Sequence, residues 1–321
     1  MVFTPYHALA AERILKCVSD KSGCVILSTL NCKDTFPGCK FVYFVSIRSF
    51  WDLIKEIFSQ QRKKKLLSLG LHNEAGYRNV HLFIPHYFHL IANYLANYLL
   101  LDQIKSLNII PDGTLNYYRH EQDNYFLRRQ FVNQITAFLI GVKYKKFKGY
   151  MVNPFKKVDV IYSYCPELTI CDEVEVRQIV CEKSKLAPEA NNILVIGTDT
   201  FHLKNKNTCK SISNLIIKNT FSLIYYKKHP SVISDEYVDI IRKMVAPREV
   251  IELGSNHSIL QITKEKSIKH IYAFGFSTVN IELQDTFDCM LNSYACMPDS
   301  EKYLDEFKKI ATKFNIEIYE D

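Results

Sequence analysis

Residues 182–199 read Glu182-Lys183-Ser184-Lys185-Leu186-Ala187-Pro188-Glu189-Ala190-Asn191-Asn192-Ile193-Leu194-Val195-Ile196-Gly197-Thr198-Asp199. The first part is polar apart from Leu186 and carries a proline, which is linker chemistry. The second part is a short apolar run rich in β-branched residues, ending in Gly-Thr-Asp, which reads as a buried strand that stops at a turn. A domain boundary therefore falls between them, separating an N-terminal domain over 1–182 from a C-terminal domain over 190–321.

The pattern on either side of this boundary is the same. In the first half, Val25–Thr29, Phe41–Ile47, Val80–Ile84, Leu107–Ile110 and Val158–Tyr162 read as strands, with a short first strand at Met1–Phe3. Helical periodicity separates them: Phe50, Ile54, Ile57 and Phe58 after Ser49; Tyr87, Leu90, Ile91, Tyr94, Leu95, Tyr98 and Leu101; and Arg128 to Ile140. In the second half, strands at Ile193–Ile196, Ser222–Tyr226, Val250–Leu253, His270–Phe274 and Ile316–Tyr319 alternate with helices near Ser211–Lys218, Glu236–Val245 and Glu301–Phe314. Two β/α alternations joined by a linker predict an α/β chain of two Rossmann-like domains with parallel sheets facing a central cleft. Ligands of such sheets bind beyond the carboxyl ends of the strands, so the residues just past each strand are where chemistry is expected.

The composition is that of a globular protein: 321 residues, 47% hydrophobic and 23% charged, with only 10 Gly and 10 Pro. It excludes disordered, collagen-like and mucin-like classes. The net charge of +7 suits an anionic ligand or lipid surface but is too dispersed to indicate nucleic acid. The basic clusters Arg62–Lys65, Lys143–Lys148 and Lys156-Lys157 read either as solvated loops or as a rim facing anionic lipid. The ten cysteines lack C-x-x-C spacing, which points to reduced, mostly buried thiols in a cytoplasmic protein without a signal peptide. The uncharged run Val80–Leu101 is long enough to span a bilayer. Pro85, His81, His86, His89, Asn93 and Asn97 make a strand followed by a buried helix the better reading.

Three constellations stand at strand ends. Ile110-Pro111-Asp112-Gly113 offers a carboxylate suited to a general base, and equally the chemistry of a turn. Tyr226-Lys227-Lys228-His229-Pro230 holds an imidazole rigidly before proline and beside two cations, suited to a phosphate or to a solvated strand end. Phe274-Gly275-Phe276-Ser277-Thr278 sets hydroxyls and free N–H groups at a helix start, an anion site or a plain N-cap. The turn Ile196-Gly197-Thr198 can also approach a phosphate or sugar. There is no P-loop, no dinucleotide fingerprint and no Asp-x-Asp metal motif.

In this order, the motifs resemble those of the bacterial sialyltransferases of the two-domain GT-B type, the group of lipooligosaccharide sialyltransferases and polysialyltransferases. That group shares an acidic-acidic-Gly motif, a His-Pro motif and a Ser-Ser/Thr motif, matched here by Asp112-Gly113, His229-Pro230 and Ser277-Thr278. Thr4-Pro5-Tyr6-His7 is similar to the turn after the group's first strand. Two departures stand out. Pro111 occupies the place of the first acid, and residues 253–260, where a ribose-binding Glu is usual, hold no acid, leaving Asn256, His257 or Ser258 as substitutes.

The resemblance implies a GT-B-like fold and an inverting, metal-independent transfer of sialic acid from CMP-sialic acid to a hydroxyl of an acceptor glycan. The implied acceptor is a terminal galactoside of a bacterial surface glycan, free or lipid-linked. Asp112 would be the base and His229 the acid. Ser277, Thr278, Lys228, Gly197, Thr198 and Gly275 would bind the donor phosphate, and His7, Gly113 and Asn256 would contact substrate. No cofactor and no nucleic acid partner are implied; the location would be cytoplasmic, with peripheral contact at the inner membrane. Another GT-B transferase or a non-catalytic glycan-binding protein are the alternatives.

Overall fold

The computed structural model describes the chain except residues 22, 30, 45–49, 69–78, 101, 113–116, 118–123, 148–157, 172, 181–182, 187–190, 198–205, 229–235, 255–258, 274–276, 288–290, 297–303 and 320–321. The chain forms two compact units, Met1–Val180 and Cys181–Asp321, both of α/β architecture with parallel sheets.

In the first unit, β1 (Val25–Ser28) and β2 (Lys40–Tyr43) pair in parallel. A second parallel sheet runs β3 (Val80–Ile84), β4 (Ile104–Ile109), β5 (Val160–Ser163), β6 (Glu175–Gln178). The first residues of the chain link the two sheets. Val2 pairs in parallel with Ser28, donating to Leu27 O at 2.9 Å and accepting from Thr29 N at 3.2 Å. Met1 N donates to Phe83 O at 2.6 Å. The strand expected at Met1–Phe3 is thus a single bridge, set between β1 and β3.

The helix α1 (Pro5–Lys16) begins immediately afterwards. Thr4 caps it, with Oγ1 accepting from His7 N at 3.2 Å, and proline occupies the first turn, where no partner for its missing N–H is needed. The helices α2 (Phe50–Ser59) and α3 (Gln61–Ser68) follow β2, and α3 carries the cluster Arg62–Lys65.

The single helix expected over Tyr87–Leu101 divides into α4 (Leu90–Tyr94) and a π-helical turn, Leu95–Leu99. The side-chain amide of Asn97 donates to Asn93 O at 3.1 Å, the carbonyl that a regular helix would give to Asn97 N–H. A side chain inserted into the ladder loosens it locally. The helix α5 (Asn124–Leu139) packs through Phe126, Gln130, Ala137 and the following Ile140, all buried. Gln130 makes two bonds to Phe147, accepting from its N–H and donating to its carbonyl, each at 2.9 Å.

The second unit is one six-stranded parallel sheet. Its strands are β7 (Asn192–Ile196), β8 (Ile224–Lys227), β9 (Val250–Leu253), β10 (Ile268–Ala273), β11 (Asn292–Cys296) and β12 (Ile316–Tyr319), in the order β12-β11-β10-β7-β8-β9. Strand order reverses between β7 and β10, which defines a topological switch point.

β7 is buried along its whole length because both faces are covered. Ile193 and Val195 pack with α6 (Lys206–Lys218) and α7 (Glu236–Val245), while Leu194 and Ile196 pack with α8 (Ile259–Glu265) and α9 (Thr278–Thr286). Each such side chain contributes about 1.5–3 kcal/mol. The last helix, α10 (Leu304–Lys313), precedes β12.

The described cysteines are free thiols. Only Cys165 and Cys296 are buried; Cys24, Cys32, Cys39 and Cys171 are half-buried and Cys17 is exposed. The expectation of mostly buried thiols therefore does not hold for them. Cys32 and Cys39 pack at the partly covered margin of the small cluster around Val2 and Ile26, not in a main core.

A pH-sensitive contact lies in this second unit. His270 Nε2 is 2.6 Å from Asn191 Oδ1 and Nδ1 is 3.2 Å from Tyr294 Oη. Burial, with Lys269 adding to it, lowers the imidazole from 6.5 to about 4. The unfolded chain then binds a proton that the folded unit refuses. Stability is full above about pH 6.5 and is lost as pH falls toward 4. Thermal melts at stepped pH are expected to show wild type losing on the order of 1–2 kcal/mol more than His270→Gln across that window, the half-exposed ring reducing the full effect. Equal slopes for the two proteins would remove His270 as the source.

Candidate active site

In the first unit, β3 and β4 are neighbours, and the chain leaves them through similar tripeptides: Ile84-Pro85-His86 at the end of β3 and Ile110-Pro111-Asp112 one residue past the end of β4. Ile110 N donates to Ile84 O at 2.9 Å, holding the two ends in step. The residues just past these strands, and the first turn of α1, converge at the carboxyl edge of the sheet.

Asp112 is the centre of this convergence. Its Oδ1 lies 2.8 Å from His7 Nε2, and its Oδ2 lies 3.3 Å from His86 Nε2. His7 is buried at 2% side-chain exposure, whereas the side chains of Asp112 and His86 keep 16% and 17%, with Asp112 Oδ2 itself covered.

The protons can be placed from the backbone. His7 Nδ1 accepts from Phe3 N at 3.3 Å, and His86 Nδ1 accepts from His89 N at 3.2 Å. In a neutral imidazole the remaining proton then sits on Nε2. Both rings therefore turn an N–H toward the carboxylate. His7 donates a hydrogen bond to it, and His86 adds a favourable dipole at longer range. Burial lowers the pKa of His86, with His7 and Arg129 acting the same way and Asp112 opposing. The neutral form of the ring is thereby favoured, which leaves the Asp112 carboxyl group as the candidate to accept a proton.

The surroundings are aromatic and tied down. Phe3 stacks on His89 with centroids 3.5 Å apart. The loop after β3 is fastened by Asn93 Nδ2 to Tyr87 O at 3.2 Å and by Asn133 Nδ2 to Phe88 O at 3.0 Å. Arg129 lies 4.9 Å over the Phe88 ring. Tyr117 Oη is 3.2 Å from Ser163 Oγ at the end of β5. Among the described residues no group of three or more His, Cys, Asp or Glu is arranged to hold a metal ion. The imidazole nitrogens facing Asp112 carry protons, so they are donors to it in this arrangement.

In the second unit, the described candidates occupy the carboxyl edge of the sheet. Gly197 follows β7 and its N–H donates to Lys227 O at 2.8 Å. Lys227 closes β8 and is buried; burial lowers its pKa. Lys228 follows it and is half-buried. Ser277 precedes α9 and caps it, its Oγ accepting from Val279 N at 3.4 Å. Thr278 is the first residue of that helix. β7 and β10 flank the switch point, so Gly197 and the Ser277-capped start of α9 follow the two strands between which such sheets bind phosphates. Gly113, Thr198, His229, Pro230, Asn256, His257, Ser258 and Gly275 lie outside the described residues.

His86 is the residue sequence reasoning did not single out for chemistry. Its signal was the repeated Ile-Pro-X ending of two strands, readable only once β3 and β4 are known to be neighbours.

No protein-family model matches the chain, and no curated protein matches it. Among solved structures the chain is similar to MurG of Acinetobacter baumannii, at 13% identity over 99% of this chain and 84% of that one, with a TM-score of 0.40. It is similar to the spinosyn rhamnosyltransferase SpnG, at 10% identity over 99% and 85%, with a TM-score of 0.46. It is also similar to the GT-B domain of a Photobacterium damselae sialyltransferase, at 10% identity over 99% of each chain, with a TM-score of 0.49. These likenesses carry no argument about substrate or mechanism, which rest on the residues themselves.

Proposed function

We propose that the protein is an inverting glycosyltransferase of the GT-B type that moves sialic acid from CMP-sialic acid to a hydroxyl of an acceptor glycan. The observation that supports this reading is the Asp112 carboxylate past β4, hydrogen-bonded by His7, flanked by His86 and still partly open to solvent. A strand-end carboxylate beside an imidazole whose neutral form is favoured is placed to take a proton from a hydroxyl. The resemblance of the three motifs supplies the donor.

In the proposed reaction the acceptor oxygen attacks the anomeric carbon as its proton passes to Asp112. The bond from that carbon to the CMP phosphate oxygen breaks, and CMP leaves with the electron pair. His229 protonates or hydrogen-bonds the departing phosphate. Ser277 and Thr278 donate to it, and Lys227 and Lys228 add positive field. The chemistry needs no metal to balance.

Incubation with CMP-sialic acid and a labelled lactoside is expected to give a sialylated product, identified by mass and linkage analysis. In a thermal-shift panel CMP is expected to raise the melting temperature, and UDP and GDP are not. Stabilisation by UDP or GDP instead points to a different sugar nucleotide. Tight glycan binding without transfer or donor hydrolysis would make the protein a non-catalytic binder.

A further inference from the structure

The helix α5 is apolar on two opposite sides. Its inner side is the core contact already described. Its outer side exposes Leu127, Phe131, Val132, Ile135, Phe138 and Leu139, with Phe138 at 82% and Phe131 at 55%. At 100° per residue, positions 127, 131, 135 and 138 form one stripe, and 132 and 139 widen it. A solvent-facing helix side is normally charged; this one is apolar except for Arg128, which lies within the stripe, and such an apolar face marks a surface that is covered in use.

The charges around the stripe say by what. From Asn124 to Phe147 the sequence holds Arg128, Arg129, Lys143, Lys145 and Lys146, and no Asp or Glu. Arg128, Lys143 and Lys146 are exposed. Two of these cations are anchored against aromatic rings of the same surface: Lys143 Nζ lies 5.6 Å over Tyr98 and Lys146 Nζ lies 5.8 Å over Phe131.

We propose that this face of α5 docks on an anionic lipid bilayer, with the helix lying in the plane of the interface. Phe131, Ile135 and Phe138 enter the acyl boundary while Arg128, Lys143 and Lys146 meet lipid phosphates. No helix among the described residues is long and apolar enough to cross a membrane, so this is surface attachment. Pairing with a second copy through the same face would be isologous and would set these cations against one another, with no acid from the stretch to offset them. The inference stands apart from the proposed transferase reaction.

The test is co-sedimentation of the full chain with vesicles of equimolar phosphatidylcholine and phosphatidylglycerol, and with vesicles of phosphatidylcholine alone. Wild type is expected to bind the anionic vesicles at least about tenfold more tightly than the neutral ones, and less tightly as salt rises. A Phe131→Ser/Phe138→Ser variant is expected to bind them at least about tenfold more weakly, with its melting temperature preserved because both rings are exposed. Should that variant not fold, Lys143→Glu/Lys146→Glu serves in its place, and the same loss is expected. Failure of wild type to bind anionic vesicles, or unchanged binding by a folded variant, overturns the proposal. So does a wild-type dimer that binds no vesicles and that Phe131→Ser/Phe138→Ser turns into a monomer; the occupant of the face is then a second copy.

Discussion

An Asp112→Asn protein is expected to fold like the parent and to transfer sugar at least about 10²-fold more slowly. The substitution keeps size and shape. The amide oxygen can still accept the proton of His7 Nε2, which sits 2.8 Å from Oδ1 in the parent. What it cannot do is take a proton from an acceptor hydroxyl, because the amide is not a base near neutral pH. Its NH2 group would also face the N–H of His86 across a 3.3 Å gap, replacing attraction by donor–donor repulsion. The loss should therefore fall on kcat, with donor KM little changed and thermal unfolding lowered only modestly by that repulsion. Near-normal transfer by a well-folded Asp112→Asn protein would take the base role away from Asp112.

His229→Ala is expected to lower transfer by a similar factor, at least about 10²-fold. The signature that separates an acid from a binding residue is the pH profile. A protonated imidazole that assists departure of phosphate is active on the acid side of its pKa, so the parent should lose rate as pH rises through it. The variant should lack that alkaline limb. Donor affinity should persist through Lys228 and the hydroxyls at the start of α9. An unchanged kcat with a raised donor KM would show His229 to be only a ligand for the phosphate.

Much of the fold was legible because strands buried on both faces write themselves as continuous apolar runs. Ile193–Ile196 is the example, and β7 occupies it; in β3 the signal is partial, with Leu82 and Ile84 buried and His81 exposed. Two strands were not foreseen. β6 reads Glu-Val-Arg-Gln and is largely exposed at the sheet edge, so nothing apolar marks it. β11 reads Asn-Ser-Tyr-Ala-Cys; its Ser293 and Ala295 are buried, and its place is fixed by packing between β10 and β12 rather than by intrinsic preference. The helix α1 was hidden behind Thr4-Pro5, which signals a turn and a helix start with the same residues.

For the candidate site, Asp112 was legible as a carboxylate at a strand end. Its imidazole partners were not, because His7 and His86 reach it over 105 and 26 residues of chain, one through the placement of α1 and the other through sheet order. In the second unit, Gly197 and Ser277 were legible as strand-end residues, but the significance of their strands came only from the reversal between β7 and β10.

The loop carrying His86 is gripped at Tyr87 O by a side chain of α4 and at Phe88 O by a side chain of α5. Its conformational freedom was surrendered when the first unit folded. In the proposed reaction, an incoming sugar that meets this imidazole has little loop-ordering entropy to overcome there, and selectivity at that wall becomes a matter of rigid shape, in which a ligand either fits the post or is turned away.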